Sequence, residues 1–204
     1  MKLYYMPGAC SLATHILLRE SGHTVELEKV GGDKKTESGA DYLAINPKGY
    51  VPALRMDDGD ILTENVAIHG YLADLRPQLN LAPAHGTKER LKQDELAVFI
   101  TTEIHKNYTP LFNSATPDDV RTYQRTKLAT RYALIEKLLS DGRAYLTGAN
   151  FATVDAYFFT VTNWAKPAGV DLSAFPNVLA FQKRVAARPA VRAAMEAEGL
   201  LKAA

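Results

Sequence analysis

The order of strand-like and helix-like segments divides this chain into two unlike parts. Roughly the first 75 residues alternate between the two patterns. Residues 2–5 and the stretch around Leu27 have strand character, a helix is predicted to begin at Ser11, and two short strands flank a turn at residues 57–60 before a helix opens at Glu64. Beyond this part only helical patterns occur. The order βαβ, loop, ββα predicts an α/β domain with a small mixed sheet, followed by an all-α domain.

A proline-containing stretch without periodicity separates the two parts. Residues 76–86 include Pro77 and Pro83 and match neither the helix nor the strand pattern, which is typical of a connection between domains. We therefore predict a domain over residues 1–78, a linker over residues 79–86 and an all-helical domain over residues 87–204.

Prolines also indicate where the helices of the second part begin and end. A long helix is predicted over about residues 87–107, with Pro110 kinking or ending it. Pro117 is expected at the first position of the next helix, followed by two aspartates in its first turn. A helix over about residues 155–165 and two short helices divided by Pro189 complete the predicted domain.

Composition excludes several classes of function. The formal net charge is +1, and no basic stripe with interleaved aromatic residues marks a nucleic-acid surface. No apolar run approaches the ~20 residues that span a membrane, and the first residues lack the apolar core of a secretion signal. The single cysteine, Cys10, excludes an internal disulfide. We expect a cytoplasmic protein with no nucleic-acid partner, no membrane partner and no metal.

Cys10 stands where thiol chemistry is favoured. It follows a strand and a Pro-Gly turn and directly precedes the predicted helix, for which Ser11 is the expected N-cap. Unpaired backbone N–H groups and the positive end of the helix dipole stabilise a thiolate there and lower a thiol pKa. The alternative is a small buried hydrophobic residue, the commoner fate of a lone cysteine. Ala13 stands three positions further on, so this is no dithiol redox motif.

Two other pairs of residues have a functional interpretation beside an ordinary one. A cis bond before Pro52 would turn the Val51 backbone outward to pair with a peptide, whereas a trans proline at a strand edge is the simpler interpretation. Glu64 and Asn65 open a helix whose amides attract a carboxylate while Glu64 could pair with an ammonium, or they only cap that helix. Four further residues are ordinary surface positions when taken singly: Lys34, Lys35, His105 and Lys106.

Taken together, these motifs resemble the glutathione transferases, and among them the bacterial beta class. Two runs carry most of the resemblance, Pro-Gly-Ala-Cys-Ser-Leu at residues 7–12 and Asn-Pro-Lys-Gly-Tyr-Val-Pro-Ala-Leu at residues 46–54. The other matching segments are residues 1–5, 62–68, 103–106 and 155–157, together with Phe151. The resemblance implies a thioredoxin-like N-terminal domain, an all-helical C-terminal domain and, usually, a homodimer.

The resemblance also implies a glutathione site. The residues that it assigns to glutathione binding are Ala9, Cys10, Lys34, Lys35, Val51, Pro52, Glu64, Asn65, Thr102, His105 and Lys106. Cys10 lies by the glutathione sulfur and can form a mixed disulfide with it, and the Val51 backbone pairs with the cysteinyl part before a cis proline. Glu64 and the next residue hold the γ-glutamyl end, and one of the two loop lysines meets the glycyl carboxylate. The His105 segment reaches the site from the helical domain, with some contacts from the partner subunit.

Three positions depart from the family pattern. Asn65 stands where a small residue is more common, although its amide is kept and its side chain could add a bond. Val98 replaces an asparagine that often contacts glutathione across the dimer. Ala152 replaces a Ser or Thr N-cap, a loss that typically costs ~1 kcal/mol. Thr153, with a shifted helix start, is the alternative cap.

The expected reaction is attack of glutathione, as a substrate, on an apolar electrophile. Cys10, the amide of Ser11 and His105 are the candidate catalytic groups that stabilise the glutathione thiolate. The electrophile is expected between the domains near three aromatic residues, which could equally be plain core: Tyr108, Phe112 and Trp164. Two alternatives stay open. One is a glutathione-dependent thiol–disulfide reductase or dehalogenase that uses Cys10 as nucleophile, and the other is a non-catalytic binder of hydrophobic ligands.

Overall fold

The computed structural model describes residues 1–202, which form two compact units. The first unit comprises Met1–Leu79 and the described residues from Ala187 onward, and the second comprises Asn80–Ala186. This division differs from the predicted one at its far end, because the last helix of the chain packs with the α/β unit rather than with the other helices.

A four-stranded mixed sheet forms the centre of the first unit. The strands are β1 (Lys2–Tyr5), β2 (Glu26–Lys29), β3 (Ala53–Arg55) and β4 (Ile61–Thr63), in the spatial order β2-β1-β3-β4. β1 is parallel to β2, whereas β3 is antiparallel to both β1 and β4. The α/β architecture predicted from the order of segments is confirmed.

Alternating side chains of β1 bury the two faces of the sheet. Tyr4 packs on one face with Val30, Tyr42 and Ala53 in a buried cluster. Tyr5 points to the other face, where its ring lies 6.2 Å from that of His15 on a helix.

Four helices belong to the first unit. They are α1 (Ser11–Glu20), α2 (Tyr42–Ile45), α3 (Asn65–Leu75) and, at the end of the chain, α9 (Pro189–Ala197), with a single 3₁₀ turn at Pro77–Leu79. α1 contacts both α3 and α9. The short α2 was not predicted; it is one turn long, and the Asp41 carboxylate caps it by accepting the Leu43 amide at 3.0 Å.

The second unit is helical, as predicted. It contains α4 (Lys88–Phe99), a π-helical segment (Ile100–His105), α5 (Lys106–Phe112), α6 (Asp118–Leu139), α7 (Thr153–Thr162) and α8 (Pro176–Ala186). The predicted end near Asn107 is wrong, because the helical course continues through Pro110 to Phe112. In the π segment the Lys106 amide donates to the Thr101 carbonyl, five residues earlier. Pro117 is the N-cap of α6 rather than its first residue.

The start of α7 is held by Asp155 in place of a cap hydroxyl. Its buried carboxylate accepts the Ala152 amide at 2.7 Å and the Leu146 amide at 2.8 Å. Thr153 does not take over the cap, because its hydroxyl accepts a hydrogen bond from Gln93 Nε2 at 2.8 Å and the helix starts at Thr153 itself. No helix within residues 1–202 is long and apolar enough to cross a membrane.

Candidate functional site

A tight turn after β1 places Cys10 at the start of α1. The Ala9 amide donates to the Met6 carbonyl at 3.0 Å, and Gly8 supplies the positive φ of 71° that this turn requires. Cys10 is the N-cap residue, without a side-chain cap bond, and is half-buried. Its Sγ donates to the Val51 carbonyl at 3.0 Å, so the thiol lies against the chain that precedes β3.

Ser11 supports this turn from inside. Its hydroxyl accepts the Met6 amide at 3.2 Å and donates to the Met6 carbonyl at 3.3 Å. The residue has no exposed surface, and Cys10 rather than Ser11 is the N-cap. The prediction of Ser11 as a cap is therefore wrong, and a direct contact of its amide with a bound sulfur would need a rearrangement. Ser11 positions the turn that carries Cys10.

The bond between Val51 and Pro52 is cis, as the resemblance implies. The chain before it is held by the Tyr42 hydroxyl and Asn46 Nδ2, which donate to the Tyr50 carbonyl at 2.7 and 2.8 Å. Within residues 1–202 the Val51 amide donates to no acceptor. An extended peptide can therefore pair with this amide as an added strand would.

Glu64 is the N-cap of α3 and has an unusual backbone conformation. Its φ of 70° and ψ of 121° are sparsely populated by residues other than glycine and typically cost ~1–3 kcal/mol. The side chain is 69% exposed, and its carboxylate lies 3.0 Å from Lys48 Nζ. Lys48 also donates to the Thr63 hydroxyl at 2.9 Å. Sequence reasoning missed Lys48, because a lysine in a loop carries no periodic signal.

The Asn65 side chain faces the interior. The Thr14 hydroxyl on α1 donates to Asn65 Oδ1 at 3.0 Å and therefore accepts from His69 Nε2 at 3.2 Å. Complete burial lowers the pKa of His69 from 6.5 to about 3, so the imidazole is neutral. The geometry therefore does not favour the expected additional hydrogen bond from the Asn65 side chain to glutathione. The network instead joins the start of α3 to α1.

The two loop lysines differ in their surroundings. Lys34 is half-buried, has a positive φ of 62°, and its Nζ donates to the Gly49 carbonyl at 2.8 Å, two residues before Val51. Lys35 is exposed. Of the two, Lys34 is the one held beside the Val51 segment.

In the second unit the π-helical segment carries the other predicted residues. His105 Nδ1 lies 2.7 Å from the Tyr157 hydroxyl, and its ring is edge-on to Trp164 at 4.9 Å. Thr102 is exposed and its hydroxyl donates to the Val98 carbonyl at 3.0 Å; Lys106 is exposed as well. π segments within α-helices frequently occur at functional sites.

The three aromatic residues predicted to line an electrophile pocket form one cluster with unequal exposure. Phe112 is 52% exposed and Trp164 is half-buried, with their rings edge-on at 6.0 Å. Tyr108 has no exposed surface, and its hydroxyl pairs with that of Tyr132 at 2.8 Å. Burial raises the pKa of Tyr108, which keeps it neutral. Tyr108 therefore supports Trp164 from behind and does not itself line an open surface.

No group of three or more metal-binding side chains occurs within the described part of the chain. The first unit contains the Cys10 thiol beside Val51, the Val51 amide, which has no acceptor in residues 1–202, and the exposed Glu64 carboxylate, which pairs with Lys48. These are the complements of a small peptide that carries an ammonium and a sulfur.

Comparison with known proteins identifies the family. The N-terminal domain model of glutathione S-transferases matches residues 1–74, and the C-terminal domain model matches residues 99–189. The glutathione S-transferase GstA of Escherichia coli O157:H7 is 45% identical over 201 residues, which cover 98% of this chain and 100% of that protein.

Solved structures agree with this assignment. A ternary complex of BphK, a bacterial GST, superimposes with a TM-score of 0.96 at 47% identity, covering 98% of this chain and 100% of BphK. The bacterial beta class enzyme of Sphingomonas chungbukensis gives a TM-score of 0.95 at 42% identity, with coverage of 98% and 100%. The chain belongs to the glutathione S-transferase family and is similar to its bacterial beta class.

Proposed function

We propose that this glutathione S-transferase conjugates reduced glutathione to apolar electrophiles, and that its first unit holds the glutathione. The observation that carries this proposal is the position of Cys10 Sγ, 3.0 Å from the carbonyl of Val51, whose own amide has no acceptor in residues 1–202. A cysteinyl residue paired with Val51 brings its sulfur next to Cys10.

The remaining contacts follow from the chemistry of glutathione. Glu64 faces solvent at the N-terminus of α3 and accepts the γ-glutamyl ammonium, while the amide of Asn65 attracts the neighbouring carboxylate. Lys34, whose ammonium lies at the Gly49 carbonyl, is our candidate to meet the glycyl carboxylate. These assignments give the ammonium and one carboxylate of the tripeptide a partner of opposite charge, and the other carboxylate a backbone N–H donor.

The reaction is a substitution at the electrophile. The glutathione thiol loses its proton to solvent, and its sulfur attacks the carbon that bears the halide or other leaving group. A carbon–sulfur bond forms as the leaving group departs as an anion. His105 is the candidate that supports the thiolate from the second unit, with its ring held by Tyr157, and the exposed faces of Phe112 and Trp164 are candidates for apolar contact.

We further propose a cytoplasmic homodimer. Leu91 and Val98 lie seven residues apart on one face of α4 and are 64% and 51% exposed, which supports an apolar contact with a second copy. Sedimentation at micromolar concentration should give twice the 22.4 kDa mass of the chain. A monomeric mass would contradict the dimer.

Calorimetric titration with glutathione and the rate of conjugation to chlorodinitrobenzene test the activity. Glu64→Gln should weaken binding of glutathione, whereas Glu26→Gln, which removes an equally exposed carboxylate from β2, should leave it unchanged. Absence of glutathione binding to the native protein would overturn the proposal. Tight binding of an apolar ligand without turnover would favour a non-catalytic binder.

Thiol–disulfide exchange is a second candidate, favoured by the half-buried thiol of Cys10 beside Val51. In that reaction Cys10 attacks a mixed disulfide of glutathione, one thiol leaves, and a second glutathione regenerates Cys10 with release of oxidised glutathione. Dehalogenation would use the same thiol as nucleophile. Reduction of a mixed disulfide, measured beside conjugation, separates these reactions.

A further inference from the structure

We propose that Lys48 is a specificity-determining residue that recognises the α-carboxylate of the γ-glutamyl group, while Glu64 recognises its α-ammonium. This inference rests on the proposed binding of glutathione to the first unit. It assigns the two oppositely charged side chains at the start of α3 to the two charges of an amino-acid head group.

The position of Lys48 is the first basis for this assignment. Its Nζ lies 3.0 Å from Glu64 Oε1 and 2.9 Å from the Thr63 hydroxyl, at the end of β4 where α3 begins. The lysine side chain therefore reaches the N-terminus of α3 from a loop that is remote in sequence. This is the end of the helix at which the backbone attracts anions.

The base of Lys48 is fixed while its ammonium is exposed. Its amide donates to Asn46 Oδ1 at 3.2 Å, and the buried Asn46 is itself bonded to the Tyr50 carbonyl. The side chain is nevertheless 55% exposed, and that of Glu64 is 69% exposed. An exposed ion pair of this kind is worth little, so a ligand can open it at small cost.

The charges of the head group complete the argument. An α-amino acid carries an ammonium and a carboxylate on the same carbon, and the Glu64–Lys48 pair offers one partner of the opposite sign to each. Binding then replaces one weak exposed pair by two pairs with the ligand. A ligand with only one of the two charges gains a single pair and still loses the original one.

This arrangement gives Lys48 two opposing effects that substitution can separate. It attracts the α-carboxylate, and it competes with the α-ammonium for Glu64. Removing Lys48 should weaken the binding of any ligand that has the carboxylate, because that contact is lost. It should not weaken the binding of a ligand that has only the ammonium, because that ligand loses no contact and Lys48 no longer competes with it for Glu64.

The test is calorimetric titration of the full-length protein and of Lys48→Met with three peptides. They are glutathione, glutaryl-Cys-Gly, which lacks the α-ammonium, and γ-aminobutanoyl-Cys-Gly, which lacks the α-carboxylate. Lys48→Met should bind the first two about three- to fivefold more weakly. It should bind γ-aminobutanoyl-Cys-Gly as tightly as the native protein or more tightly.

Two control variants complete the experiment. Lys48→Arg keeps the charge and should keep the native order of the three affinities. Lys29→Met removes one exposed positive charge from β2 and should change none of them by more than the error of the titration. A loss shared by Lys29→Met would reveal a general effect of net charge and would overturn the assignment.

The outcomes distinguish this inference from the function on which it rests. If the native protein binds glutathione and Lys48→Met changes all three affinities equally, or none, then Lys48 does not recognise the carboxylate. If Lys48→Met increases the affinity for glutathione itself, Lys48 only competes with the ammonium for Glu64. If the native protein binds no glutathione, the proposed function falls together with the inference.

Discussion

Individual residues of the candidate site are brought together from distant positions in the chain. Cys10 contacts the carbonyl of Val51 across 41 residues, and Lys48 contacts Glu64 across 16. Neither contact involves a helix period or a strand pair. The chemistry of the site therefore depends on the turn before α1 and on the loop before β3, both held by partly buried hydrogen bonds.

Substitution of Cys10 separates two possible roles of its thiol. Glutathione carries its own thiol, and two thiolates in one site would repel each other, so we do not expect Cys10 to be essential for conjugation. Cys10→Ala should keep most of the rate with chlorodinitrobenzene. It should lose any covalent glutathione adduct and any reduction of mixed disulfides. Kinetics, with intact-mass measurement after treatment with oxidised glutathione, checks both outcomes.

The matched variant for this experiment is His105→Ala. It should lower the conjugation rate about 10–100-fold, because the imidazole that we propose supports the thiolate is lost, and should still allow formation of the adduct. Tyr157→Phe, which removes the hydroxyl 2.7 Å from His105 Nδ1, should cause a smaller loss in the same direction. Loss of conjugation in Cys10→Ala with glutathione still bound would show that the thiol is required.

The charged ends of glutathione should contribute unequally to its binding. Loss of the carboxylate that pairs with the ammonium should cost more than loss of one contact from the loop. Glu64→Ala should weaken binding about tenfold or more, and Lys34→Ala and Lys35→Ala about two- to threefold or less. Of the lysines, Lys34 should matter more, since it is held at Gly49. Equal losses in calorimetry for all three variants would refute this ranking.

The residues of the site that lie in sequence motifs could be predicted, whereas the residues that support them could not. Cys10 and Glu64 stand at helix starts, where residue type and position both carry a signal. Thr14, Lys48 and His69 act through contacts across the fold, and nothing local to these residues distinguishes them from ordinary helix or loop positions. The prediction of Ser11 as the N-cap sets the helix start one residue too late, since Cys10 is the N-cap.

At the level of elements, α1 and α3 are joined by the buried network of Thr14, Asn65 and His69. Asn65 directly follows Glu64, so this network fixes the N-terminus of α3 against α1, the helix that begins after Cys10. The network requires a proton on His69 Nε2, because the Thr14 hydroxyl that it contacts already donates to Asn65, and burial keeps the ring neutral.

The stability of the protein should therefore fall in acid through His69. Its pKa is about 3 when folded and near 6.5 when unfolded, so below pH 6.5 the unfolded chain binds a proton that the folded chain excludes. The contribution of the neutral His69 to the free energy of unfolding is fully present well above pH 6.5 and is lost as the pH falls from 6.5 towards 3. At pH 4 the loss should be about 3 kcal/mol relative to pH 7.

His69→Gln is the comparison that isolates this effect. The amide side chain cannot take up a proton in this range and can still donate to Thr14. Urea unfolding of both proteins from pH 7 to pH 4 should show a steeper decline for the native chain. Parallel declines would mean that other groups, not His69, govern the acid sensitivity.

Helices and strands could be predicted from the sequence where the hydrophobic period extends over many residues. They could not be predicted where tertiary contacts determine the conformation. The order of strands and helices in the first unit follows the hydrophobic pattern. The one-turn α2 is too short to show a period, and the π segment at Ile100–His105 has the sequence of an ordinary helix. Pro110 lies inside its helix, which continues for two more residues to Phe112.

At the scale of the whole molecule, the chain returns to its first unit after the helical unit is complete. α9 packs on α1, and Arg188 just before it pairs with Glu20 at 2.6 and 2.9 Å through two nitrogens. The amphipathic pattern of α9 predicts a helix but does not say which surface it covers. A domain division based on the position of the linker therefore cannot show that α9 belongs to the first unit.

Glu198, which follows α9, should be the residue that ties the end of the chain to the turn before Cys10. Its buried carboxylate accepts the Gly8 amide at 2.9 Å and lies 2.9 Å from His15 Nδ1. Because Arg19 Nε donates to His15 Nε2 at 3.1 Å, the imidazole proton is on Nδ1 and is donated to Glu198. Both carboxylate oxygens are thus occupied by donors from the first unit.

Glu198→Ala removes the carboxylate that accepts from the buried His15 N–H and from the partly buried Gly8 amide, which should lower the free energy of unfolding by about 2–4 kcal/mol. Because Gly8 lies two residues before Cys10, the same variant should also raise the KM for glutathione. Glu196→Ala, on the adjacent turn and 3.9 Å from its nearest cation, should change stability by less than about 0.5 kcal/mol. Urea unfolding and steady-state kinetics measure both effects. Equal stability losses in the two variants would show that the hydrogen bonds of Glu198 contribute no more to stability than an exposed carboxylate does.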